Sequence, residues 1–269
     1  MNGQAAQKAA LTAYANAYLQ AHKVAFGLDH PTASHCRSIE FVDVPHVGSF
    51  KGRKMLAKDP ESWFAYLATN GVQHLRLHYS SASGEGLADR TSVAFSGGGG
   101  YWFIETVRPA GSALWESVWR VPSNRGKRIW KVWYVLSKVR PEELQDTPYS
   151  IEDVRRELQR ALVDISSFAK KHDDTKEWVS YFQRALDALD SEYDVQTTEI
   201  LPAGCFTRDA EQLMAASRHA FVFGGMGSWN DVLFGAADEI QKEYDRVSNR
   251  LYGAICRAIV TAVNSFPKP

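Results

Sequence analysis

Apolar positions in the second half of the chain repeat at intervals of three and four residues. From Ile151 they fall at 151, 154, 158, 162, 165 and 168, so one face of an α-helix there would be apolar. Ser150, just before the run, and Asp153, in its first turn, have the spacing of a capping box, and Thr207 stands before a later run as a helix cap. The pattern predicts four helices, at residues 151–168, 173–189, 207–221 and 237–264.

The first half starts with helical spacing and continues with alternation. An alanine-rich segment, residues 4–26, has helical spacing, and a second helix is expected to begin at Pro60, with Asp59 as its cap, and to end at Asn70 and Gly71. Polar and apolar residues then alternate, and five of the eight tryptophans fall in this region, which is typical of half-buried strands. The predicted strands are residues 39–44, 72–80, 90–95, 101–107, 114–121 and 129–136, the last two joined by a turn at 123–127.

This order of elements predicts an α+β protein in two parts. Residues 1–140 are expected to form an α+β domain with an antiparallel sheet, and residues 149–269 an all-α domain of four helices. The charged, proline-bounded stretch 141–148 would join them. Helices followed by a curved antiparallel sheet are similar to the NTF2-like and cystatin-like cones, and this resemblance implies a cavity inside the sheet.

Charge divides along the same boundary. Residues 1–145 contain 17 Lys and Arg against 11 Asp and Glu, a balance of +6, whereas residues 146–269 contain 14 against 20, a balance of −6. The split indicates either two parts that attract each other or one face that recruits a charged partner.

Several kinds of chemistry lack their sequence signature. The chain has three widely spaced cysteines without a CxxC pair, no HExxH motif, no G-x-S-x-G elbow and no phosphate-binding glycine loop followed by Lys and Ser or Thr. We therefore expect no metal site and no cofactor. No apolar run approaches the roughly 20 residues of a membrane helix, and no secretory signal stands at Met1. The expected setting is the cytoplasm, without membrane contact.

Three glycines in four positions, at 224, 225 and 227, lie between the third and fourth predicted helices and precede Trp229. One interpretation is structural: a helix end, a tight turn and a Ser228–Asp231 capping box, with Trp229 packed into the bundle. The other is an anion or peptide-carboxylate site built from free backbone N–H groups. Its candidate binding residues are Arg218, His219, Gly224, Gly225, Gly227, Trp229, Asn230 and Asp231.

A second candidate site lies within the predicted sheet. If the sheet encloses a pocket, its walls would include Tyr79, Trp102, Glu105 and Trp119. Glu105 and Glu116 could then face each other as an acid–base pair, although pairing with a nearby arginine is the simpler interpretation. His74 and His78 are expected to be ordinary surface residues.

The basic hairpin tip and its nearby tryptophans are the only feature that suggests nucleic-acid binding. The tip contains Arg125, Lys127, Arg128 and Lys131. The tryptophans beside it fit a sheet core better, and the first half is only mildly basic. We therefore expect a solvated turn and no nucleic-acid partner.

The stretch 221–231, followed by Glu243-Tyr244 and by Arg-Leu-Tyr at 250–252, resembles a C-terminal segment of uncharacterised bacterial proteins over residues 150–265. The resemblance carries no known activity, but it implies a bacterial cytoplasmic accessory protein. We predict a non-enzymatic protein-binding role, for example an immunity protein that neutralises a toxin by direct contact. The alternative is an NTF2-like small-molecule enzyme or ligand-binding protein with its site in the sheet cavity.

Overall fold

The computed structural model describes residues 1–44, 52–82, 88–95, 97–123, 127–137, 139, 144, 149–190, 192, 199–235 and 239–267. The predicted α+β class is confirmed: a helix precedes a six-stranded sheet, and helices follow it. The strands are β1 (Cys36–Asp43), β2 (Lys54–Ala57), β3 (His74–Ser80), β4 (Tyr101–Arg108), β5 (Gly111–Arg120) and β6 (Trp130–Leu136). The helices are α1 (Gly3–Leu19), α2 (Pro60–Thr69), α3 (Asp89–Ser92), α4 (Ile151–Lys171), α5 (Val179–Asp187), α6 (Arg208–Ala220) and α7 (Glu239–Asn264), with short 3₁₀ helices at Asp173–Trp178 and Trp229–Asp231.

The sheet has the strand order β2-β1-β6-β5-β4-β3. Neighbouring strands are antiparallel except for β1 and β6, which run parallel. The parallel pairing places β1, the first strand in the chain, beside β6, the last. The two edge strands of the sheet are therefore β2 and β3. The hairpin predicted from residues 114–136 is confirmed as β5 and β6, although residues 124–126 of its turn, including Arg125, lie outside the described residues.

Helix starts follow the predicted caps. The Asp59 carboxylate accepts from the backbone N–H of Ser62, and the Ser62 hydroxyl accepts from the N–H of Asp59, so α2 begins with a reciprocal capping box. Ser150 caps α4 and Thr207 caps α6 through one hydrogen bond each. The Ser150 hydroxyl accepts from the N–H of Asp153, and the Thr207 hydroxyl accepts from the N–H of Ala210. These local signals explain why the helices of the second half match their predicted positions closely.

Two predicted elements of the first half were wrong, and one strand was missed. The first helix ends at Leu19 rather than at residue 26, because Ala21 takes a left-handed conformation with φ 61° and His22 N–H bonds back to the Ala17 carbonyl. Residues 90–95 are not a strand; α3 is a single helical turn held by long-range hydrogen bonds. The short edge strand β2 was missed, since four residues carry too little pattern.

Both parts contribute to one hydrophobic core. Helix α1 packs against β3, β4 and α7, and α7 packs against β3 as well as against α4 and α6. The core includes fully buried Leu11, Trp63, Leu158 and Ile255 from both sides of the predicted boundary. The predicted link at 141–148 lies outside the described residues except for Leu144.

Two asparagines cover the outer edge of β3. Asn16 of α1 donates to the Leu75 carbonyl at 3.0 Å and accepts from the Leu75 N–H at 2.7 Å. Asn264 of α7 makes the same pair of bonds with Leu77, at 2.9 and 2.7 Å. The side-chain amides thus replace a neighbouring strand at an edge that would otherwise expose unpaired backbone groups. Among the described helices, none is long and apolar enough for a membrane span.

Candidate functional site

Trp229 anchors the glycine–tryptophan turn, defined here as residues 221–231. Its side chain is completely buried, and its indole N–H donates to the Ser248 hydroxyl at 2.7 Å. The ring stacks on Tyr244 with centroids 5.2 Å apart, and the Tyr244 hydroxyl donates to the Trp229 carbonyl. Both polar groups of an otherwise apolar contact are therefore satisfied, and the structural interpretation of Trp229 is confirmed.

The backbone N–H groups of the turn bind a carboxylate from the same chain. Asp231 accepts from the N–H of Gly227 at 2.5 Å and from that of Ser228 at 3.3 Å. The Ser228 hydroxyl donates to the Gly224 carbonyl, and Gly227 has φ 77°, which favours glycine. The anion site predicted as the alternative is thus occupied by the protein's own Asp231.

Asn230 joins the turn to the first half of the chain. Its amide donates to the Arg90 carbonyl at 2.7 Å, while the Arg90 guanidinium donates to Asn230 Oδ1 at 3.3 Å and to Asn249 Oδ1 at 2.9 Å. Arg90 also pairs with Asp245 and lies over the Tyr244 ring. Burial, only partly opposed by the Arg90 charge, raises the pKa of Tyr244 to about 12. Arg90 therefore locks α3 to α7.

Of the remaining predicted residues, Arg218 and His219 lie on α6 outside the turn, and Gly225 faces open space. Arg218 lines a separate cavity, described below, and neighbours His219 in the last turn of α6. Burial, and then the charges of Arg184 and Arg218, hold the pKa of His219 below its ordinary value. A Cβ at Gly225 would meet no atom within 4 Å, so open space surrounds it. The eight predicted residues do not converge on one site.

The four residues predicted for the sheet pocket fall on two faces. Tyr79 and Trp102 pack against each other on the core face, with ring centroids 4.8 Å apart. The Tyr79 hydroxyl donates to Asp89 at 2.7 Å, which further fixes the α3 turn. Glu105 lies on the opposite face, opposite Arg76 in the register of β3 and β4. Trp119 shares the core face but lies on β5, beside a different cavity.

Glu105 belongs to a buried ionic cluster. His78 Nε2 lies 2.8 Å from Glu105 Oε2, and Arg76 lies 4.0 Å from the same oxygen. Burial alone raises the pKa of Glu105, but hydrogen bonds from His78 and Ser112 and the charges of His78 and Arg76 outweigh it, so the pKa falls below its ordinary value. The prediction of a surface His78 was wrong: the residue is buried and bonds to this carboxylate, which lies diagonally across from it on β4. The predicted pair of Glu105 and Glu116 does not form: Glu116 accepts from the Ser137 hydroxyl, whereas Glu105 bonds to His78.

A cavity of about 300 Å³ opens at one end of the sheet. Trp119 of β5 and Trp130 of β6 form one wall, edge to face, with ring centroids 5.7 Å apart and planes at 75°. Trp119 donates its indole N–H to Ser117 at 3.0 Å, which fixes the ring. The cavity is lined by Met1, Gly3, Ala6, Pro31, Thr32, His35, Cys36, Trp119, Trp130, Glu199, Ile200 and Arg218.

Gln7 of α1 organises the wall behind the tryptophans. Its amide donates to the Thr32 carbonyl at 3.0 Å and lies 3.3 Å from the Cys36 sulfur, while its oxygen accepts from the Tyr134 hydroxyl at 3.0 Å. Burial raises the pKa of the Cys36 thiol, although the Gln7 hydrogen bond opposes this shift. Cys36 is therefore a neutral, positioned wall residue rather than a reactive thiolate.

Two side chains of opposite charge complete the cavity. Arg218 comes from the last turn of α6, and Glu199 comes from the segment before it. Glu199 has φ 56°, an uncommon conformation for a residue with a Cβ, and such strain is concentrated at functional sites. Within the described residues, no three His, Cys, Asp or Glu side chains come together as metal ligands would. The cavity can thus hold a ring against tryptophan and orient polar substituents.

Sequence reasoning had singled out Trp119 and Arg218, but in two separate arguments. The sequence places Trp130 among the tryptophans of the sheet core and does not indicate a role for His35 or Glu199. No local pattern joins residues from six separate parts of the chain. No protein-family model, curated protein or solved structure matches this chain.

Proposed function

We propose that the protein binds a small molecule with a flat aromatic or heteroaromatic ring in the Trp119–Trp130 cavity. The observation that carries this proposal is a cavity of about 300 Å³ with two perpendicular tryptophan rings in its wall. This volume is at the lower end of the range for small-molecule sites, roughly 300–1,000 Å³, which typically combine aromatic walls with few polar groups. The proposal keeps the predicted ligand-binding alternative but moves its site from Tyr79, Trp102 and Glu105.

The polar groups favour a ligand with a substituent that can accept or donate hydrogen bonds. Arg218 presents a planar cation and Glu199 a carboxylate at the same cavity. Because Gln7 holds Thr32 and Cys36, and Ser117 holds Trp119, the wall is formed before a ligand arrives. A preformed wall reduces the entropy lost on binding.

Titration with 1-anilinonaphthalene-8-sulfonate, an anionic probe with a flat naphthalene ring, tests the proposal by fluorescence. We expect saturable one-to-one binding to the folded protein, with Kd increased at least about tenfold by Trp119→Ala or by Trp130→Ala. Trp133→Ala is the matched control, since Trp133 lies on β6 but on the opposite sheet face. Equal loss of binding in all three variants, or none in the cavity variants, would contradict the proposal.

Protein binding is a second proposal, and it includes the toxin neutralisation in a bacterial cytoplasm that the sequence predicts. It is favoured by two large apolar side chains, one within the glycine–tryptophan turn and one just after it: Met226 is fully exposed and Leu233 is 81% exposed. Such exposure is typical of interaction surfaces when several apolar groups lie together. The test is inhibition of a toxin encoded beside the gene by one molar equivalent of this protein; no inhibition and no complex would count against it.

A further inference from the structure

We infer that the cleft beside the glycine–tryptophan turn docks a positively charged segment of a partner protein through an apolar anchor side chain. The cleft lies between the 3₁₀ helix Asp173–Trp178 and the turn. It is distinct from the Trp119–Trp130 cavity, because the two share no lining residue. The inference rests on the second proposal, protein binding, and specifies where the partner binds and what its chemistry is.

The cleft is open and large enough for side chains rather than for a buried ligand. Its volume is about 410 Å³, and it is lined by Asp174, Glu177, Trp178, Gly227, Ser228, Asp231, Val232 and Leu233. Trp178 provides the apolar wall and contacts Tyr181, with ring centroids 5.3 Å apart. Aromatic walls beside an open groove are the usual receptors for an anchor side chain.

Large apolar side chains are exposed at the rim of the cleft. Leu233 lines it with most of its side chain in solvent, and Met226 next to Gly227 is fully exposed. Tyr181, which packs against Trp178, adds a half-exposed ring. Methionine side chains adapt to varied partners, which suits a docking surface. Removing these groups from water provides the apolar part of the binding free energy.

The negative charge of the cleft determines which charge a partner segment must carry. Asp174 and Glu177 are exposed, and within the described residues neither forms an ion pair; Lys176 between them pairs with Asp173 instead. The Asp231 carboxylate is already bonded to the turn, but it adds to the negative potential. The half of the chain that carries the cleft has a balance of −6. Lys and Arg on the partner are therefore complementary, and acidic segments are repelled.

The walls of the cleft are fixed from behind. Trp229 packs edge to face against Trp178, with ring centroids 6.0 Å apart, and against Phe182 at 5.3 Å. The buried Thr175 hydroxyl donates to the Ala169 carbonyl at 3.1 Å, tying the 3₁₀ helix to α4. A rigid groove loses little entropy when it is filled. The turn thus supports the docking surface without itself binding the partner's charge.

The test uses three short synthetic peptides of equal length on the full chain. The first carries leucines at helical spacing among lysines, the second has glutamates for the lysines, and the third has serines for the leucines. We expect measurable affinity for the first peptide only. Leu233→Ser and Glu177→Lys should each weaken it at least about threefold, while Glu61→Lys on exposed α2, an equal charge change elsewhere, should not.

Binding of the acidic peptide with equal affinity would overturn the inference, as would an affinity that Leu233→Ser and Glu177→Lys leave unchanged. Equal weakening by Glu61→Lys would also overturn it, since the attraction would then be non-specific. These results would leave protein binding itself standing if a toxin were still inhibited by the full chain and by Glu177→Lys alike. Loss of toxin inhibition in Glu177→Lys and Leu233→Ser, with Glu61→Lys unaffected, would support both.

Discussion

The glycine–tryptophan turn and the Trp119–Trp130 cavity differ in how their residues are used. In the turn, neighbouring residues satisfy one another: Asp231 accepts the turn's N–H groups, and Trp229 is buried with its indole N–H bonded. In the cavity, residues from distant parts of the chain leave a volume of about 300 Å³ unfilled. The difference teaches that a distinctive local sequence can serve stability, whereas a cavity can form from residues that are unremarkable in sequence.

The sharpest contrast is expected for tryptophan truncation. Trp229→Ala should lower the free energy of unfolding by about 3–5 kcal/mol, because it removes a fully buried ring. Trp119→Ala, at a partly exposed ring, should cost less than about half of that. Urea denaturation measures both. Equal costs for the two variants would remove the distinction between a structural turn and a binding cavity.

Substitution of Arg90 tests whether its hydrogen bonds to Asn230 hold the turn against the first half of the chain. Arg90→Met should destabilise by about 2–4 kcal/mol, because Asn230, Asn249 and Asp245 lose a buried donor together. Asn230→Ala should cost about 1–2 kcal/mol, with less than additive loss in the double variant. Strict additivity in thermal or urea unfolding would show that the two residues act independently.

Substitution of Asn264 tests the second contact between the two halves, its pair of hydrogen bonds with Leu77 at the edge of β3. Asn264→Ala should cost about 1–3 kcal/mol, because two backbone groups of Leu77 lose their partners. Asn16→Ala should have a similar cost, because the backbone groups of Leu75 lose their partners. Hydrogen exchange should then speed up at the Leu77 amide in the first variant and at the Leu75 amide in the second. Unchanged protection at these amides would contradict the edge-covering role.

Lys8 on α1 makes the free energy of unfolding depend on pH. Its side chain is buried and donates to the Trp102 carbonyl at 2.8 Å, and burial, only partly opposed by the Glu116 charge, lowers its pKa to about 7. Between that value and 10.5 the unfolded chain binds a proton that the folded protein does not, so this term makes stability rise with pH. Lys8→Met should remove a slope of about 1.4 kcal/mol per pH unit.

The comparison of wild type and Lys8→Met isolates this term from other titrating groups. Urea unfolding between pH 7 and about 8.5 is the suitable window, because tyrosines ionise at higher pH and the cysteines, which begin to ionise there, are the same in both proteins. Lys8→Met should be the more stable protein at pH 7, and the difference should shrink as the pH rises. Parallel stability curves for the two proteins would show that Lys8 has an ordinary pKa.

The sequence allowed the helices of the second half to be predicted because their signals are local. Spacing and caps at Ser150 and Thr207 depend on residues within a few positions. The burial of Trp229 and the Ser228–Asp231 capping box followed from the same kind of reasoning and are confirmed. The α+β class followed from the order of these elements.

The errors and omissions concern long-range contacts. Residues 90–95 have strand-like composition, yet Asp89 and Arg90 form hydrogen bonds with Tyr79 and Asn230 that hold a helical turn. His78 is buried because β4 places Glu105 beside it. The cavity depends on the meeting of β5, β6, α1 and the segment before α6, which no spacing rule encodes. The resemblance of the C-terminal segment to bacterial proteins, and the protein-binding role it implies, stay predictions.

Fluorine NMR of protein labelled with 5-fluorotryptophan tests the central claim most directly, because all eight tryptophans report at once. Single Trp→Phe variants assign the signals. On addition of 1-anilinonaphthalene-8-sulfonate, we expect saturable shifts of Trp119 and Trp130, with the Trp229 signal unmoved. Saturable shifts of Trp229 or Trp133 with no change at Trp119 and Trp130 would contradict the assignment of the cavity as the binding site.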